Sequence, residues 1–203
     1  MTVYTLFGQP ALGLTATNDT STYTMGMQFT LSQSATLTGI WFYSGATATA
    51  RPVGCAIYQM TGPGAGTIVS GSQDLAPVWS GAAASGWIKD PYASGPVLAA
   101  STVYKVVMLK DATALVYSLT ANYWSSGAGG SGLTSGIITA PNNAGGDGGQ
   151  DTFNVGGSLA YPATAFNASN YWVDVEVTTS SAAAATPQPV VVPSLAAIQA
   201  ACW

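Results

Sequence analysis

Two acidic residues, Asp174 and Glu176, stand two apart in the run NYWVDVEVT (170–178), which puts their Cα atoms ~6.6 Å apart on one face of a strand. Glycosidases hold a carboxyl pair about 5–9.5 Å apart, so the spacing permits acid–base hydrolysis. General-acid work also needs one carboxyl desolvated. The alternation turns Tyr171, Val173, Val175 and Val177 to the core and Trp172, Asp174 and Glu176 to water, so the reading is a solvated face, not an acid–base pair. A second set of oxygens, Asn142, Asn143, Asp147 and Asp151, lies in a Gly-rich stretch. Calcium takes 6–8 oxygen ligands, but the spacing fits no EF-hand loop and Asn-Asn and Gly-Gly turns explain the same letters; no cofactor is expected, with calcium the one exception held open. A third set is aromatic. Trp41, Tyr43, Trp172 and Tyr123–Trp124 are predicted outward, where such rings stack on sugars, pack on a neighbouring subunit or lie beneath the chain's own loops.

The inventory closes off other chemistries. The 203 residues contain no His, which removes the Ser–His–Asp triad, the Cys–His pair and most zinc sites. Arg51, Lys89, Lys105 and Lys110 are the only basic side chains, far apart, and the net charge is −4; phosphate neutralisation needs clustered Lys and Arg, so nucleic acid is excluded. The two cysteines, Cys55 and Cys202, read as unpaired, since a reducing cytoplasm opposes a bridge. No basic start with an apolar run marks a secretory signal, and no stretch of about 20 apolar residues marks a spanning helix. The expectation is a chain made in a host cytoplasm and released by lysis or inside an assembly. Only 6% of residues are charged while 48% are hydrophobic, against about 25% charged in ordinary soluble domains. Charged residues are depleted at interface cores, so the composition favours a non-enzymatic protein that works by contact.

The positioning elements are short apolar or alternating runs broken by Gly, Pro, Asn and Ser, which predict strands at 2–7, 25–31, 37–43, 53–60, 67–69, 87–89, 102–109, 114–119, 136–139, 152–155 and 170–178. In 37–43 the expected inward pair is Ile40 and Phe42. The strand at 102–109, apolar on both faces apart from Lys105, is expected to be central. Such runs predict an all-β sandwich or barrel over 1–178. An Ala/Pro-rich linker follows over 179–193. A short docking helix over 194–203 carries Leu195, Ile198 and Trp203 as its apolar stripe, and a helix that short needs a surface to dock on.

In order along the chain stand TGIWFYSG (38–45), SGWIKDPYASGPVLAASTVYKVV (85–107), GGDGGQDTFNVGG (145–157) and FNASNYWVDVEV (166–177). That order resembles the domain-of-unknown-function family 4082, common in actinobacterial proteins and found in some of their phages, with Asn-Tyr-Trp-Val-Asp-Val (170–175) its most specific signature. The resemblance implies a jelly-roll-like antiparallel β-sandwich module, here over 1–178, and carries no established catalytic residues. The expectation is a phage virion structural protein, a capsid decoration (minor capsid) or tail-associated subunit, with other virion proteins as partners and homo-oligomerisation. The alternative is a carbohydrate-binding module adsorbing to host cell-wall glycans through Trp41, Tyr43, Trp124 and Trp172.

Overall fold

The computed structural model describes residues 1–17, 19–81, 84–110 and 117–180. Within them the elements are β1 (Thr2–Tyr4), β2 (Tyr23–Leu31), β3 (Ala35–Ser44), β4 (Gly54–Gly62), β5 (Ala65–Ile68), β6 (Gly86–Pro91), β7 (Val97–Leu98), β8 (Tyr104–Lys110), β9 (Leu133–Ser135), β10 (Ile138–Ala140), a 3₁₀ turn at Asn143–Gly145, β11 (Asp151–Val155) and β12 (Val173–Thr179). Every pairing is antiparallel. One sheet runs β1-β12-β3-β6, with β7 beside the start of β3; the other runs β5-β4-β8-β2-β10-β9, with β11 also on β2. The chain passes repeatedly from one sheet to the other, and the two inner faces enclose a core that includes Met25, Met27, Phe29, Ile40, Phe42, Ile57, Val106, Met108, Val173 and Val175. The all-β sandwich expected from the sequence is the observed architecture.

Local chemistry sets the register. β4 turns into β5 through Pro63 and Gly64, whose φ of +68° suits glycine. In β3 the inward positions change from Ala35 and Leu37 to Ile40 and Phe42, because the pairing with β12 shifts by one residue between Glu176 and Val177. This bulge resets the side-chain phase. In β8, between β4 and β2, every residue is buried. Its outer face is covered by the segment after β11, where Leu159 and Tyr161 pack on Ala56, Tyr58 and Val107. Two short strands, β7 and β9, were not expected. Of the expected strand at 114–119, only 117–119 is described, and it is not strand; a bridge between Thr120 and Asn170 follows it. Thr179 closes β12 and Ser180 follows it, while residues 181–193 of the expected linker and the docking segment with Leu195, Ile198, Cys202 and Trp203 lie outside the described residues.

Candidate functional site

The corner that leads into β12 gathers much of the chemistry. The Asn170 side-chain oxygen accepts the Trp172 N–H at 2.7 Å, the Tyr171 N–H donates to Asp151 Oδ2 at 2.8 Å, and the Trp172 indole donates to Thr120 Oγ1 at 3.0 Å. Trp172 itself has φ +56°, uncommon for a bulky residue, and the surrounding hydrogen bonds hold it there. Its ring packs on Phe7 (5.2 Å) and Tyr123 (5.1 Å), and Tyr123 meets Trp124 edge-on at 4.9 Å. Trp124 and Trp172, expected outward, are therefore buried, and so is Tyr43, whose ring packs on Trp87. The cause lies far away in sequence: residues 6–9 cross this face and place Phe7 among the rings. Trp41 is half-buried, its indole donating to Glu176 Oε2 at 3.0 Å.

The acidic pair is corrected too, Asp174 by the same crossing. Val173, Val175 and Val177 are buried as expected, but so are Asp174 and Glu176. Asp174 accepts the N–H groups of Leu6 (3.0 Å), Phe7 (2.9 Å) and Val175 (2.8 Å) and the Gln9 amide (2.8 Å). Burial pushes its carboxyl up, to about 7, against those four donors. Glu176 accepts from Lys89 Nζ at 2.5 Å, Thr38 at 2.9 Å and Trp41. Those donors outweigh its burial and hold it below the usual range. The two carboxyls thus have separate internal partners, Asp174 fixing the N-terminal strap and Glu176 clamping β3 to β6.

Most of the Gly-rich oxygens also have internal partners. Asp147 accepts the Gly64 N–H and the Tyr161 hydroxyl, while Asp151 takes Tyr171. Asn142 caps the 3₁₀ turn at Gly145, and Asn143 accepts from Gln150. The cation that both aspartates feel is the Lys105 ammonium, which donates to the Asp147 and Pro162 carbonyls and to Thr152 Oγ1, each at 2.9 Å. Among the described residues no three His, Cys, Asp or Glu side chains gather as a metal site. Cys55 is buried beside Asp90 (3.3 Å) and Tyr92 (3.4 Å), and burial pushes its thiol far up, which keeps it from acting as a nucleophile.

One concave feature opens to solvent at the end of the sandwich where β2 begins and β11 ends. This cavity of about 260 Å³ is lined by Tyr23, Tyr117, Phe153, Phe166 and Tyr171 with Met25, Leu119, Thr17 and Asp19. Phe153 lies directly opposite Met25 in the β11–β2 pair, which brings it against Tyr23. Burial raises Asp19, but the Ser21 N–H, the Tyr23 and Tyr117 hydroxyls and the Lys110 charge prevail and hold it below the usual carboxylate range. Among the described residues the cavity holds a single carboxyl, and that one ionised, so they form no acid–base pair there. None of its residues except Tyr171 was singled out from the sequence. They come from segments as far apart as Thr17 and Tyr171, and no local spacing marks them.

The chain matches the model of the family described as a domain of unknown function (DUF4082) over residues 9–173. No curated protein and no solved structure matches it.

Proposed function

We propose that this chain, which belongs to the DUF4082 family, is a non-enzymatic structural protein of a bacteriophage particle, a capsid decoration or tail-associated subunit that works by the surface it presents. The observation that carries this reading is the whereabouts of the charges. Lys105, Lys110, Asp90, Asp151, Asp174 and Glu176 are buried, and Asp19, Arg51, Asp74, Lys89 and Asp147 are half-buried. No charged side chain among the described residues is exposed. The surface is instead hydroxyl- and glycine-rich, with Leu75, Val78, Val97 and Val155 more than half exposed. With its charges buried or half-buried, docking such a surface strips little water from ions, the main penalty on charged contacts. Neutral, partly apolar surface is what the core of a protein interface requires. A subunit fixed in a symmetric assembly has a partner for that surface. The test is detection of the chain in purified phage particles at a fixed copy number, together with the solution mass of the isolated protein. Particles without the chain would refute the particle role, and a strictly monomeric protein would refute homo-oligomerisation.

A second reading, a carbohydrate-binding module for cell-wall glycans, has one observation in its favour, the aromatic cavity. Of the rings first expected to serve it, Tyr43, Trp124 and Trp172 are packed inside and offer no stacking face. Glycan-array binding that is lost when the cavity is altered supports this reading.

A further inference from the structure

The cavity constrains its own ligand, an inference that rests on the carbohydrate reading and not on the particle role. Its rings stand nearly at right angles: Tyr23 and Phe153 at 88° with centroids 5.6 Å apart, Tyr23 and Tyr117 at 77°, and Tyr117 and Tyr171 at 69°. Rings so arranged are walls, not a flat track along which a polysaccharide lies. At about 260 Å³ the space falls below the ~300 Å³ at which drug-sized ligands begin to fit, which leaves room for a single ring entering end-on. Phe166, 49% exposed at the rim, presents an open aromatic face.

Polarity narrows the class. A wholly apolar guest would cover Asp19 without replacing its water, which is costly for a carboxylate. An organic cation would meet charge already balanced. Lys110 Nζ lies 5.8 Å over the Tyr23 ring, donates to the Ser21 carbonyl at 2.6 Å and acts on Asp19. A neutral polyol suits both demands. Its hydroxyls donate to the Asp19 oxygens, which retain acceptor capacity beyond the Ser21 N–H (2.9 Å), the Tyr117 hydroxyl (3.3 Å) and the Tyr23 hydroxyl, and its C–H face packs on a ring.

We propose that this cavity binds the terminal ring of a neutral glycan, with Asp19 accepting its hydroxyls and Phe166 covering its C–H face. The test is titration of the full chain, followed by ligand-observed NMR, with methyl glycosides of glucose, galactose, mannose, arabinose and N-acetylglucosamine, with matching oligosaccharides, and with tetramethylammonium. At least one methyl glycoside is expected to bind with a millimolar Kd, and its oligosaccharide no more than a few-fold tighter, because only the end ring is held. Phe166→Ala is expected to weaken it roughly 3- to 10-fold, and Asp19→Asn about 10-fold or more. Near-ultraviolet circular dichroism confirms that both variants keep the wild-type fold. Sugar binding that survives both substitutions overturns this site while leaving the carbohydrate reading standing. Affinity that climbs with every added ring, or tetramethylammonium bound in preference to all the sugars, also overturns it. Failure of every glycoside and of intact cell-wall polysaccharide to bind sinks both.

Discussion

Replacing Lys105 with Met separates the two roles of a buried ammonium. Lys105 is fully buried, its three protons are taken by two carbonyls and the Thr152 hydroxyl, and its Nζ lies 4.7 Å from the Tyr161 ring centre. Burial lowers its pKa from 10.5 to about 8 even though Asp147 and Asp151 pull the other way. The unfolded chain therefore takes up its proton at higher pH than the folded one. Stability is fully present above pH 10.5 and is lost as pH falls toward 8, by about 3 kcal/mol at ~1.4 kcal/mol per pH unit. Lys105→Met keeps the length of the side chain and removes the titration. At pH 7 it relieves the buried charge but leaves the Asp147 carbonyl without its donor; Thr152 still donates to Pro162 at 2.8 Å. The net change there is expected to stay within about 2 kcal/mol. Urea unfolding of both proteins from pH 7 to 10.5 is the assay, and the difference between them cancels the tyrosines, which titrate in both. Wild-type stability relative to Lys105→Met is expected to rise by about 3 kcal/mol between pH 8 and 10.5. A difference that stays flat with pH refutes the buried-charge account.

Asp151, raised by burial to about 7 from 3.8, makes stability fall as pH rises from 4 to 7, by about 4 kcal/mol at most. Asp151→Asn should remove that share in a urea series over the same range, the remaining downward slope belonging to Asp174 and Asp90, both raised by burial. Gly26→Ala would put a Cβ 1.9 Å from the Val106 carbonyl oxygen, in backbone that cannot yield; a loss of about 3 kcal/mol or more should show as a lowered melting temperature or insoluble product. Under the particle reading, deletion of 194–203 is expected to leave the melting transition within a few degrees of wild type while abolishing incorporation into particles. Normal incorporation of that truncation rejects its attachment role.

What the sequence determined by itself is the class of structure and the chemistry ruled out. Period-two alternation and turn residues suffice for strands, because side chains alternate faces wherever a strand forms. Ten of the eleven expected runs correspond to strands, and Val173, Val175 and Val177 lie inward. The absence of histidine is likewise a fact of composition. Tertiary structure alone decided what covers the other face of each strand. Alternation says that Asp174 and Trp172 share a side, but not that residues 6–9 cross it. That crossing turned a solvated carboxylate into a four-donor acceptor and an outward ring into an inner one. The segment after β11 did the same for Lys105. The cavity is equally a product of folding, since Asp19, Tyr23, Tyr117, Phe153 and Phe166 meet only where strand ends and loops converge, and long-range packing of that kind leaves no period in the chain.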